Sequence, residues 1–173
     1  MAYELPFDPY PFLDDPHKQT IISSMVNFLF EPPSDEKRVK LPDGDVISLQ
    51  VTTPRGWEPK KGTVVMVHGL CGSHQSPYMV RITKHLAQMG IRSVRYNMRG
   101  CGTGFGLAKN IYHSGRSDDL FECLKVLKIE HPDSPTVLIG FSLGGNIVLK
   151  LAGELGTLAP YFLDRVFAVS PPV

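Results

Sequence analysis

Pro135-Thr136-Val137-Leu138-Ile139-Gly140-Phe141-Ser142-Leu143-Gly144-Gly145-Asn146-Ile147-Val148-Leu149 changes character at its midpoint. The first half is a β-branched apolar run; the second carries an amphipathic helical pattern. Between them stands a serine flanked by glycines. The order is therefore strand, tight turn, helix, and Gly140-Phe141-Ser142-Leu143-Gly144 fits G-x-S-x-G, a turn that pushes the serine hydroxyl out above a sheet. A side chain at 140 or 144 would collide with the neighbouring strand or helix at so sharp a bend. Ser142 is the candidate nucleophile. With 16 glycines in 173 residues, chance alone supplies about 0.1 such pentapeptides, so the bare match is only suggestive. A match that ends a buried strand and opens a helix is far rarer, and this context favours a nucleophile over a structural serine.

Working outward from the elbow, the same alternation recurs on its N-terminal side. Thr63-Val64-Val65-Met66-Val67 is a continuous apolar run, as in a strand buried on both faces of a parallel sheet, and it leads into His68-Gly69-Leu70-Cys71-Gly72-Ser73. A helix is expected from about Pro77 to Met89, with Met79, Ile82, Leu86 and Met89 on its apolar face and Gly90 as its stop. Ile91 to Tyr96 reads as the next strand, followed by the glycine-dense turn Asn97 to Gly104. Ser117 is placed as the cap of a further helix, with Asp118 and Asp119 in its first turn and Leu120, Leu124 and Leu127 on its buried face; His131-Pro132 ends it. Beyond the elbow helix, to about Leu155, Arg165 to Ser170 reads as a final strand.

Near the start of the chain the pattern differs. Residues 1–20 are rich in proline and are expected to run extended, with a short helix from about Thr20 to Phe30. Arg38 to Leu41 and Val46 to Val51 alternate in polarity around Pro42-Asp43-Gly44-Asp45, which predicts a hairpin. Thr52 to Gly62 is a loop holding the sole tryptophan, Trp57. A hairpin followed by strand-helix alternation gives a mostly parallel α/β sheet with right-handed crossovers. In such sheets ligands bind at the carboxyl ends of the strands, where the turns at His68, Asn97 and Gly140 converge. Residues 1–36 form an N-terminal arm with a short helix, and 37–173 the sheet-bearing core.

Composition narrows the function classes. The net charge is +1 and the basic residues are scattered, so no nucleic-acid footprint is expected. Cys71, Cys101 and Cys123 cannot all pair and follow no metal-ligand spacing, which points to reduced thiols, a cytoplasmic setting and no metal. Met1-Ala2-Tyr3-Glu4-Leu5-Pro6 has no basic region leading into an apolar core, so no secretory signal is expected. Ile21 to Phe30 is apolar but too short to cross a bilayer; a covering helix is the ordinary reading, and peripheral contact with a membrane or lipid the sharper one. Gly100 to Gly106 misses G-x-G-x-x-G at Phe105, and no phosphate loop occurs elsewhere, so no nucleotide cofactor is expected.

A serine hydroxyl needs a base to take its proton and donors to hold the oxyanion that forms. The expected donors are the backbone N–H of Leu143, directly after the nucleophile, and that of Leu70 in the loop after the Thr63 to Val67 strand. A base is missing. All six histidines precede Ser142, and the residues after it contain two acids, Glu154 and Asp164, and no histidine. Enzymes with this elbow order their triad Ser, acid, His, so the chain holds half a site. His68 is read as a structural histidine bonded to the loop backbone. His113 is read as positioning the Asn97 to Gly104 loop, Asp118 or Asp119 as a partner for Arg99, and Cys71 as a small residue facing the site.

Five motifs in order carry a resemblance: Pro16-His17-Lys18-Gln19-Thr20-Ile21; His68-Gly69-Leu70 with Gly72-Ser73; Tyr96-Asn97-Met98-Arg99-Gly100-Cys101-Gly102; Tyr112-His113-Ser114-Gly115 with Asp118-Asp119-Leu120; and Gly140 to Asn146. Together they resemble the α/β-hydrolase superfamily, in the YheT-like branch that includes plant embryogenesis-associated proteins and animal abhydrolase-domain lipases. The resemblance implies an α/β-hydrolase fold truncated after about the sixth strand, since such proteins run on for another hundred residues or more. It implies a carboxylesterase or acylglycerol-lipase-like serine hydrolase acting on a small-molecule or lipid ester. It places the triad Asp, the triad His and the cap outside this chain and carries over only Ser142, Leu70 and Leu143. The alternatives are a non-catalytic remnant or binding module, and an acyltransferase using the same residues. An unpaired last strand would also expose this chain to self-association.

Overall fold

The computed structural model of the chain describes residues 8–25 and 30–172. The chain divides into two compact units, one ending at Phe30 and one beginning at Glu31. In the first, helix α1 spans Pro16–Met25 and so starts four residues before the expected Thr20. The reason is local: Asp15 Oδ1 accepts the N–H groups of His17 at 2.7 Å and Lys18 at 3.0 Å, and Pro16 sits at the first helical position, where its missing N–H costs nothing. Ile21 and Ile22 are exposed on this helix. Residues 26–29 of the apolar stretch lie outside the described residues.

The second unit is a six-stranded sheet. Strands β1 (Asp35–Lys40) and β2 (Val46–Thr52) form the antiparallel hairpin, and β3 (Thr63–Val67), β4 (Arg92–Tyr96), β5 (Thr136–Phe141) and β6 (Arg165–Val169) follow. Their spatial order is β1-β2-β4-β3-β5-β6, with β2 antiparallel to β4 and the last four strands parallel to one another. In register, Val67 lies beside Tyr96 and Gly140, so β3, β4 and β5 end together at one edge. The expected mostly parallel α/β sheet with an N-terminal hairpin is the observed one.

Side chains alternate across the sheet and sort the helices onto its two faces. Val65, Val67, Val94, Tyr96 and Leu138 pack with α3 (Ser117–Glu130) and α4 (Leu143–Leu155), which present Leu120, Cys123, Leu124, Leu127, Ile147, Val148 and Leu151. Val64 and Met66 face α2 (Pro77–Gln88) through Met79, with Tyr78, Ile82 and Leu86 partly buried beside them. Met89, expected on that apolar face, is 68% exposed because α2 ends one residue before it. A four-residue helix, α5 (Ala159–Phe162), precedes β6 and had no periodic signal to reveal it. Strand β6 is half-exposed, with Phe167 at 54% and Val169 at 46%. Cys71, Cys101 and Cys123 are free thiols.

Ser117 is the first residue of α3 and does not cap it: Arg116 occupies the cap position with no side-chain bond, and the Ser117 hydroxyl donates to Glu154 at 2.5 Å. The strongest polar feature is Arg99, 3% exposed at the carboxyl edge. Its guanidinium grips Asp119 through two bonds of 2.6 Å and also reaches Asp43 at 2.6 Å and Asp45 at 2.5 Å. The expected pairing of Arg99 thus falls on Asp119, while Asp118 is exposed. Two N–H bonds, from Lys109 at 2.9 Å and Asn110 at 3.0 Å, and the Arg99 contact hold the Asp45 carboxyl well below the usual carboxylate range. This cluster ties the hairpin turn, the loop after β4, the 105–111 loop and α3 to one cation. Arg99→Met leaves three carboxylates around an apolar side chain and should lower unfolding stability by about 3 kcal/mol or more, read from the midpoint and slope of a urea titration.

Candidate active site

At the end of β5 the backbone enters a conformation that L-residues rarely adopt: Ser142 has φ 49° and ψ −119°. Such strain persists only where the surroundings hold it. Here Ser142 N–H donates to Val169 O at 2.9 Å, extending the β5–β6 ladder to the turn, and Ser142 O accepts Asn146 N–H at 3.2 Å. Close approach completes the constraint. A Cβ on Gly140 would sit 2.5 Å from the Gly144 carbonyl carbon and 2.7 Å from Gly145 Cα, and one on Gly144 would sit 2.5 Å from His68 O. Glycine at both positions lets α4 start directly against β5 and the end of β3.

A serine at a helix N-cap commonly bonds the first-turn amides. Ser142 does not: its side chain makes no cap bond, is exposed, and has no hydrogen-bond partner among the described residues. Leu143 is the first residue of α4, so its N–H has no intrahelical carbonyl to reach and lies where the helix dipole favours negative charge. The loop after β3 lies against the same elbow, since a Cβ on Gly69 would be 3.2 Å from Ser142 Cβ and 3.4 Å from Phe141 O. The structure therefore brings Ser142, Leu143 and the Gly69-Leu70 segment together at one edge.

His68 is fully buried and both ring nitrogens are engaged. Nδ1–H donates to Gly69 O at 2.7 Å, and Nε2 accepts Met98 N–H at 3.1 Å, which fixes the tautomer. Burial holds its pKa below the ordinary 6.5, so the ring is neutral and joins the β3 loop to the β4 loop. It cannot serve Ser142 as a base. The acids after Ser142 are also committed elsewhere. Glu154 pairs with Lys150 and accepts from Ser117, and Asp164 accepts Thr136 N–H at 2.7 Å, at the amino end of β5.

His113 does not position the Asn97 to Gly104 loop. It is exposed, and its Nδ1 accepts only the N–H of Gly115 in its own turn, at 3.1 Å. That role belongs to His74, which is buried: its backbone N–H donates to Asn97 Oδ1 at 2.8 Å and its Nδ1 lies 3.0 Å from the same oxygen. Asn97 Nδ2 then donates to Thr103 Oγ1 at 3.2 Å. Sequence reasoning also passed over Tyr78 and named Tyr112 only within a motif, without a role; their hydroxyls accept Gly69 N–H at 3.0 Å and Cys71 N–H at 3.1 Å. No short-range pattern marks them, because Tyr112 reaches across 41 residues. Cys71 itself is exposed, with φ 56°. Two concavities, of about 150 Å³ around Arg99 and Asp119 and about 480 Å³ beside β1, lie away from Ser142 and are not lined by it.

Comparison with known proteins agrees with this geometry. A family model described as the alpha/beta hydrolase fold matches residues 62–172. YheT of Escherichia coli K12, described as a candidate esterase, is 31% identical over 96% of this chain and 48% of its own length. The human phospholipase ABHD3 is 25% identical over 62% of this chain and 26% of its own. Among solved structures, XC6422 of Xanthomonas campestris, described as an a/b serine hydrolase without a lid, aligns with TM-score 0.61 and 26% identity over 73% of this chain and 59% of that one. The chain spans less than half the length of these two curated relatives.

The neutral, buried His68 makes a pH prediction. Its folded pKa lies below 6.5, so on acidification the unfolded chain takes up a proton that the folded ring refuses. Stability contributed by His68 should be present above 6.5 and be lost as pH falls from 6.5 toward the lowered value. A separate loss, from Asp43 and Asp45, should begin as pH falls below 3.8. Urea midpoints across this range test both, and His68→Gln should flatten only the first.

Proposed function

We propose, from the premise that this chain belongs to the α/β-hydrolase family, that it is the nucleophile-bearing part of a serine hydrolase acting on carboxylic esters. The observation that carries this reading is the uncapped, exposed hydroxyl of Ser142 at strained φ and ψ, with the first amide of α4 next to it in the chain and Gly69 of the β3 loop packed against the elbow. In the proposed reaction Ser142 Oγ attacks the ester carbonyl carbon while a base takes its proton. The C=O π pair moves to oxygen, and the N–H groups of Leu70 and Leu143 hold that oxyanion. The C–O bond to the alcohol then breaks, the alcohol leaves with the proton, and water releases the acid from the acyl-enzyme by the reverse sequence. Names of relatives as esterase or phospholipase support an ester or lipid substrate.

The base and its acid come from outside residues 1–173 in this reading, because His68, Glu154 and Asp164 are all held elsewhere. The same observation favours the second reading, a non-catalytic α/β module, if no such residues are supplied. A fluorophosphonate ester should label Ser142 in the full-length protein and leave Ser142→Ala unlabelled; equal labelling of the two would sink the hydrolase reading.

The oxyanion assignment has its own test. Gly72 N–H donates to Gly69 O at 3.1 Å, which places Leu70 at the second position of a four-residue turn, where proline is well tolerated. Leu70→Pro should therefore keep the turn while deleting the donor. Its kcat for a p-nitrophenyl ester should fall about 100- to 1000-fold with KM little changed, and its urea midpoint should stay near that of the parent.

A further inference from the structure

The backbone of the β3 loop is almost fully accounted for. Gly69 N–H goes to the Tyr78 hydroxyl and Gly69 O accepts both His68 Nδ1–H and Gly72 N–H. Cys71 N–H goes to the Tyr112 hydroxyl. Between them the Leu70 N–H has no hydrogen-bond partner among the described residues, and its side chain is 69% exposed. Three consecutive amides thus alternate: held, free, held.

We infer that Tyr78 and Tyr112 are positioning residues that clamp the two amides flanking Leu70 and so leave its N–H as the single donor this loop presents to the reacting oxygen. The inference rests on the hydrolase reading proposed above and assigns the residues that make its oxyanion loop rigid. Each tyrosine is itself anchored. The Tyr78 ring packs against Phe141, the residue before Ser142, with centroids 4.6 Å apart, so one side chain links the elbow to the loop. Tyr112 follows the segment whose Lys109 and Asn110 amides are fixed by Asp45, and through it by Arg99.

The Tyr112 bond also acts on backbone strain. Cys71, third in the Gly69–Gly72 turn, has φ 56°, a position that ordinarily takes glycine. Its N–H belongs to the central peptide of that turn, whose orientation decides whether the third residue is left-handed. A hydroxyl holding that N–H keeps the peptide in the strained orientation. Without it the peptide is free to rotate, carrying the attachment of Leu70 with it.

Tyr78→Phe and Tyr112→Phe retain the rings and remove only the acceptors. In the full-length protein each should lower kcat for a p-nitrophenyl ester about 10- to 100-fold with KM within about twofold, since a displacement near 1 Å has that scale of effect. On the Leu70→Pro background, which lacks the donor, neither should lower kcat further, because residues that act through one group are not additive. Independent, additive losses on that background, or wild-type kcat in both single variants, would overturn the clamp. Amide hydrogen exchange reads it without chemistry: Gly69 and Cys71 should be protected and Leu70 not, with Tyr78→Phe releasing Gly69 and Tyr112→Phe releasing Cys71. Uniform exchange across 69–71 overturns it too. Failure of the hydrolase reading appears differently, as identical fluorophosphonate labelling of Ser142→Ala and the parent, and would remove the catalytic meaning of a clamp that exchange still detects.

Discussion

The structure turns on a contact that no side chain can enter. Gly140 and Gly144 bring the first turn of α4 against the last residues of β5 and the carbonyls of Val67 and His68. A single Cβ at either position would fall well inside van der Waals distance of backbone, which cannot swing aside as a side chain can. This contact forces Ser142 into positive φ, turns its hydroxyl away from the helix amides, and places the α4 N-terminus within reach of the β3 loop. Fold and site therefore share one cause.

Around that contact the carboxyl edge is braced by polar groups arriving from distant parts of the chain. His68 joins the loops after β3 and β4 as a neutral bridge, and His74 and Asn97 join them a second time. Arg95, fully buried, donates to His74 O at 3.0 Å and to Ser34 Oγ at 3.2 Å, tying the segment before β1 to the same bracing. Arg99 gathers Asp43, Asp45 and Asp119. Buried ionic groups of this kind add little net stability over apolar replacements, but losing one partner is costly. Their effect here is geometric: they leave each loop a single arrangement.

The two faces of the sheet are unequally clothed. One carries α3 and α4 over a broad apolar cluster; the other carries α2 over Val64, Met66 and Met79, and leaves Val137, Ile139 and Phe141 only partly buried beside the exposed Phe167 and Val169. Register sets Ile139 beside Phe167 and Phe141 beside Val169, so these side chains form one continuous apolar face next to the β6 edge.

The sequence by itself determined the parallel sheet, the hairpin and the position of the elbow at Ser142, because these rest on periodicity and on glycine at fixed short offsets. It also showed that no histidine follows the serine. Local rules failed where a closer partner competed: Ser117 reads as a cap but gives its hydroxyl to Glu154, and Asp15-Pro16 starts α1 earlier than the apolar pattern suggests. What only the tertiary structure decided is which groups stand around the serine. Tyr78 and His74 carry no signature, Tyr112 stood in a motif that did not reveal its partner, and His113 carried a misleading one, since a hydrogen bond across 41 residues depends on where two loops end in space and leaves no trace in the spacing of either.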